Sequence, residues 1–177
     1  MNLLTGGTTI GLWHHVIKQA EDQCSVTLKQ ELEAYLVSLL ARYIDKPEMA
    51  KQIFATAFLE AINQRDRMRH ISLQNVGDGC LLFAGLFPQA AERRQAKVSY
   101  FVDVGRSAYA NISHASDDIY NMLAMDFVVL MDVLQSIQNP DLMPLEAYEQ
   151  WNDVGSQRAF KMLKAYTRAI PFRHLKR

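Results

Sequence analysis

An aspartate flanked by glycines, Asp78 between Gly77 and Gly79, is followed by arginines at 93, 94 and 106 and by tyrosines at 100 and 109. Together these residue types suit an anion. Guanidinium presents a rigid fork of donors to phosphate or carboxylate, and a tyrosine carries a hydroxyl on an apolar ring. Asp78, Arg93, Arg94, Tyr100, Arg106 and Tyr109 are therefore the candidate residues for binding a ligand or a partner. Each also has a structural alternative. Asp78 can cap amides at a helix irregularity, and Arg106 can pair with Asp103 one helical turn away. Either tyrosine can serve packing alone. The arginines lack the glycine-rich loop that cradles phosphates after a strand.

Other groups with chemical potential are more scattered. His14 and His15 are adjacent, so on one helix they point about 100° apart and do not chelate one metal together. His70 and His114 stand near expected helix ends, and no Glu-x-x-His or His-Glu-x-x-His spacing is present. No metal site and no cofactor is expected. Asp118 and Asp132, fourteen residues apart, return to one face if their helix is continuous; they then line a pocket, face solvent or pair with the C-terminal bases. The chain lacks the Gly-x-Ser-x-Gly elbow of many hydrolases, and Cys80 has no histidine at a diagnostic spacing. No catalytic residue is assigned, and the chain reads as non-enzymatic.

Helices must position these residues. Apolar residues recur at three- and four-residue steps from Leu28 to Tyr43 and from Met49 to Ile62, so these two segments are expected to form an antiparallel hairpin. Ser72 is the expected cap of a helix ended by Pro88. A short turn around Glu92 and Arg93, a helix from Val98 to Ile112 and a long helix from Asp118 to Ile137 follow. Two final helices divide at Gly155, and an N-terminal helix over 12–24 completes the set. No strand-length alternation, internal repeat or low-complexity linker is visible. The pattern predicts an all-α, single-domain multi-helix bundle of about seven to nine helices over 1–177, with a flexible N-terminus at 1–11 and a basic tail at 170–177.

Glycine in the middle of a helix costs roughly 1 kcal/mol relative to alanine. Gly77, Gly79, Gly85 and Gly105 therefore need compensation, which close approach of two helix backbones would supply. Gly77, Cys80 and Ala84 make one small-residue stripe and Gly105 sits in the apolar face of the next helix, so the two are expected to cross at short distance.

Nineteen basic residues balance nineteen acidic ones, which removes any overall field toward nucleic acid or an anionic membrane. The distribution is uneven. Residues 107–157 hold eight acids and no lysine or arginine, whereas 158–177 hold seven bases and no acid. The basic end is expected to lie across acidic surface of its own or a neighbouring subunit. Two cysteines in apolar surroundings predict a reduced compartment. The most apolar stretch, 119–137, is interrupted by Asn121, Asp126 and Asp132 and reads as a core helix rather than a membrane span. With no basic, apolar leader at the start, the expected location is the cytoplasm.

The pattern Gly77-Asp78-x-x-Leu81-Leu82-Phe83-x-Gly85-x-Phe87-Pro88, then Arg93-Arg94, then Tyr100-Phe101-x-x-x-Gly105-x-x-Ala108-Tyr109, resembles the centre of a family of small helical bacterial proteins of uncharacterised activity. The resemblance implies a bacterial cytoplasmic setting and transfers no catalytic residue.

Two functions follow as expectations. The first is a protein-interaction or regulatory domain, homodimeric, with apolar faces left for association. The second is a protein or enzyme that binds a small anionic ligand in a pocket between the 72–87 and 97–114 helices. Nucleic-acid binding by Arg168, Arg173, Lys176 and Arg177 ranks below both.

Overall fold

The computed structural model describes residues 3–45, 54–93, 96–114, 118–138 and 141–167, with backbone alone at 3–8, 44–45 and 91–93. Among them are ten helices and no strand: α1 (Leu3–Cys24), α2 (Gln30–Asp45), α3 (Phe54–Ile62), α4 (Asp66–Leu86), α5 (Pro88–Arg93), α6 (Val98–Ala110), α7 (Ile119–Met125), α8 (Phe127–Gln138), α9 (Pro144–Val154) and α10 (Gln157–Tyr166). The all-α expectation holds.

α4 is the axis of the molecule. Every residue from Val76 to Leu86 is buried, and a helix that is covered all round must lie inside the bundle. It packs against α6, α8 and α3, while α1 lies on α8 and α2. Leu32, Leu36, Leu39 and Leu40 of α2, Phe101, Val102 and Tyr109 of α6, and Phe127, Leu130 and Leu134 of α8 meet in one continuous core. α9 and α10 form a separate small core of Leu142, Ala147, Ala159 and Leu163.

Local signals set several helix ends. Pro88 opens α5, where its fixed φ suits a first helical position. Asp118 caps α7, accepting a 2.6 Å hydrogen bond from the Tyr120 amide. Gly155 closes α9 at φ 78°, a conformation that favours glycine, and Ser156 caps α10 by accepting from the Ala159 amide at 3.0 Å.

Other expectations are corrected. α2 and α3 do not form a hairpin; among the described residues α2 packs on α1 and α3 on α4. Amphipathic stripes reveal that two helices need partners without saying which ones. α4 begins at Asp66, well before Ser72, whose hydroxyl instead donates to Gln64 Oε1 at 2.6 Å. α1 begins at Leu3, ahead of the expected residue 12.

The long helix over 119–137 breaks at Asp126 into α7 and α8, bent by 73°. This break adds the tenth helix. The Asp126 amide still donates to the Met122 carbonyl while its own carbonyl accepts from Leu130, so residue 126 keeps both backbone hydrogen bonds at the bend without a glycine or proline. With the bend, Asp118 and Asp132 no longer share a face. No single described helix is long and apolar enough to cross a membrane.

Candidate functional site

Asp78 lies in the middle of α4 with no solvent exposure. It neither caps a helix end nor faces an open cleft. Its Oδ1 accepts hydrogen bonds from the Tyr35 hydroxyl at 2.6 Å and the Tyr109 hydroxyl at 2.7 Å, and its Oδ2 accepts from Arg42 Nη2 at 3.2 Å. Gln74 Nε2 donates in turn to the Tyr35 oxygen at 3.3 Å. Three helices, α2, α4 and α6, are thus tied at one carboxylate. The Arg42 side chain is 40% exposed and carries the network to the surface.

Tyr109 reaches Asp78 because Gly77 leaves room. A Cβ at residue 77 would lie 2.5 Å from the Tyr109 ring, closer than real carbon contacts allow. At Gly105 the ring of Phe127 stands 2.5 Å from an added Cβ and the Cys80 Cβ 2.9 Å, while at Gly85 the neighbour is Leu134 at 2.5 Å. The close-packing expectation is met with one change: the slots admit mainly side chains, two of them aromatic rings.

Burial pushes the Asp78 carboxyl above the ordinary aspartate value, against the opposing pull of both hydroxyls and Arg42. Burial and the nearby carboxylate also drive the Tyr35 and Tyr109 hydroxyls far above the ordinary tyrosine value, so both remain protonated donors. Burial likewise raises the fully covered Cys80 thiol, which disfavours the nucleophilic thiolate. The arrangement is chemically a set of fixed donors around one acceptor.

Of the six sequence candidates, the structure brings together only Asp78 and Tyr109. Tyr100 stands edge-on to Phe101 and is 37% exposed. Arg106 does not pair with Asp103; its Nε donates to the Ala124 carbonyl at 3.0 Å, satisfying the end of α7. Arg93 is described by its backbone alone, and Arg94 lies outside the described residues. Tyr35, Arg42 and Gln74 were missed, although Tyr35 and Leu36 belong to a visible stripe. The signal for Tyr35 was a polar-tipped aromatic between leucines on the stripe that ends at Tyr43.

A second buried carboxylate, Asp132 on α8, organises the C-terminal hairpin. Its Oδ1 accepts from the Ser156 hydroxyl at 2.6 Å, and its Oδ2 from the amides of Gln157 at 3.0 Å and Arg158 at 3.3 Å. The carboxylate therefore sits at the N-terminus of α10, where negative charge is favourable. Arg158 Nη1 donates to Gln135 Oε1, and Gln135 Nε2 donates to both the Ala84 carbonyl and Gln150 Oε1. Burial raises the Asp132 carboxyl above its ordinary value, with the three donors pulling the other way.

The charge split resolves in part. Arg158 approaches Asp132, but the α9 acids Glu149 and Asp153 take Lys97 at 3.0 and 3.8 Å, and Lys161 donates to the Cys24 carbonyl at 3.0 Å. The tail over 170–177, with Arg173, Lys176 and Arg177, and the preceding Arg168 lie outside the described residues.

His14 and His15 do not act as a pair. His14 Nε2 contacts Glu33 at 2.6 Å, beside a Lys18 that bridges Glu33 and Glu21, and this cluster joins α1 to α2. No group of three metal-ligating side chains occurs among the described residues. Depressions occur elsewhere: one of about 270 Å³ between the start of α6 and α9, and one of about 520 Å³ between the start of α4 and the chain leaving α6.

No protein-family model matches the chain, and no match is found among curated proteins or solved structures.

Proposed function

We propose that this chain is a non-enzymatic interaction domain that works as a homodimer, joined through the outer end of the α9–α10 hairpin. The observation carrying this reading is an apolar cluster left open there: Met143 is 65%, Leu145 69% and Tyr166 53% exposed. The Tyr166 hydroxyl donates to the Leu142 carbonyl at 3.2 Å, which holds the end of α10 beside the start of α9.

A second copy is the occupant that the surrounding charge favours. Asp141 and Lys164 are exposed and Glu146 half-buried on this hairpin, with the Lys164 ammonium over the Phe160 ring at 4.6 Å. A two-fold interface places the same patch against itself, so a rim carrying both signs can pair acid with base across the axis. A chain with equal acidic and basic counts adds no long-range repulsion between copies. The hairpin has its own small core and is fixed to the body by the hydrogen bonds around Asp132 and Gln135, by Lys97 with Glu149 and Asp153 and by Lys161 with the Cys24 carbonyl. Covering its outer end leaves those contacts intact.

The proposal includes a bacterial cytoplasmic setting. Its support is the resemblance over 77–109 together with two cysteines that are both buried and unpaired, as a reducing compartment permits.

Native mass spectrometry and sedimentation of the full chain at micromolar concentration test the reading. The expected species is a dimer, which Leu145→Glu converts to a monomer with an unchanged helical circular dichroism spectrum. Leu59→Glu, at an exposed apolar residue of α3, should leave the dimer intact. A monomeric parent protein, or a dimer that survives Leu145→Glu, overturns it.

A further inference from the structure

We infer that the depression at the corner of α4 and the chain leaving α6 is a binding site for a small organic anion, with phosphate as the best-matched head group. The inference goes beyond association between copies and involves different residues.

The site is a cavity of about 520 Å³ lined by Asp66, Arg67, Arg69 and His70 from α4, with Leu73, Ile112 and His114. That volume falls within the roughly 300–1,000 Å³ typical of small-molecule pockets. Leu73 has no exposure and Ile112 only 2%, so the floor is apolar, whereas Arg67 and His114 are exposed and Arg69 and His70 half-buried around it.

Among the described residues the lining is net positive. Among the described residues neither Arg67 nor Arg69 forms an ion pair. Asp66 contributes one negative charge against the two guanidiniums, which leaves one positive charge from these three side chains. Arg65, at the N-cap of α4, supplies no side-chain acceptor to the first-turn amides, and their partial positive charge adds to the same corner.

Arg69 is also oriented in advance. Its Nη1 donates to the Asn111 carbonyl at 3.2 Å and its Nη2 to Asn111 Oδ1 at 3.3 Å. A guanidinium has five N–H donors, so these two neutral acceptors fix the fork without exhausting it. His70 is held likewise, with Nε2 3.1 Å from the Tyr120 hydroxyl. Net of Asp66 the two guanidiniums leave one positive charge at the lining, and a guanidinium fork suits the oxygens of a phosphate. The apolar floor takes the carbon body of the ligand.

Amide-resolved NMR of the full chain titrated with phenyl phosphate, inorganic phosphate and phenol tests the site. Phenyl phosphate is expected to shift the amides of 67–73 and 112–114, with phenol silent and inorganic phosphate binding more weakly. Arg67→Gln should weaken phenyl phosphate about tenfold, the loss of one charge-assisted hydrogen bond, and this exposed side chain has no described role in the fold. Absence of shifts at millimolar phenyl phosphate, or unchanged binding by Arg67→Gln, overturns the site. Equal affinity for inorganic phosphate overturns its assignment to an organic ligand.

Discussion

Tyr109 serves Asp78 twice: its hydroxyl donates a 2.7 Å hydrogen bond to the carboxylate, and its ring fills the space left by the absent side chain of Gly77, the residue just before Asp78. Neither half stands alone. A side chain at 77 would displace the ring and with it the donor, while a ring without the hydroxyl would leave the carboxylate with less compensation for its burial. One buried acid and one glycine thus fix how α6 sits on α4.

That relationship has a pH signature. Burial holds the folded Asp78 carboxyl above its ordinary value, so the native state binds the proton more tightly than the unfolded chain. Stability attributable to this group is highest at acidic pH and falls as pH rises from the ordinary aspartate range through the folded value. Asp78→Asn removes that decline. In urea unfolding at about pH 5 and about pH 8, the stability of the variant relative to the parent should rise with pH. A relative stability that falls with pH would mean that the fold favours the carboxylate.

Glycine substitutions should separate by position. Gly105→Ala places a methyl 2.5 Å from the Phe127 ring and 2.9 Å from the Cys80 Cβ, and overpacking of this kind costs about 1–3 kcal/mol. That exceeds the roughly 1 kcal/mol gained in helix propensity. Gly11, exposed in α1 with nothing within 4 Å of an added Cβ, should yield the propensity gain undiminished. Denaturant midpoints should therefore fall for Gly105→Ala and rise for Gly11→Ala. Equal shifts in one direction would contradict the slot at residue 105.

The C-terminal hairpin should loosen before the body. Asp132→Ala removes the acceptor for Ser156, Gln157 and Arg158 together, and breaking a buried charged network typically costs about 3–5 kcal/mol. Hydrogen exchange should accelerate most in α10 and α9, with the buried half of α4 retaining protection. Uniform acceleration throughout the chain would show instead that the hairpin and the body unfold as one unit.

How much the sequence revealed depends on the range of the interaction. The division of α9 from α10 followed from Gly155, whose positive φ is a local requirement, and the Asp118 cap followed from one side chain and the amide two residues on. The break at Asp126 was hidden, because no glycine or proline marks it. Packing makes that bend: α7 lies on α6 while α8 runs between α1 and α4.

The same division holds for the sites. Asp78 stood out through its glycine neighbours, but its partners Tyr35 and Arg42 lie 43 and 36 residues earlier. The cationic corner likewise joins α4 to residues about forty positions later, as the 42-residue separation of Arg69 and Asn111 shows. The sequence alone determined that the chain is helical and that Asp118 and Gly155 would act at helix ends, because periodicity and such end signals are settled within a few residues, whereas Ser72 looked like a cap and lies inside α4. Only the tertiary structure decided which helices meet, which carboxylates are buried and which arginines face a common cavity. Those outcomes depend on side chains far apart in the chain, brought together by competition among many apolar faces for the same core.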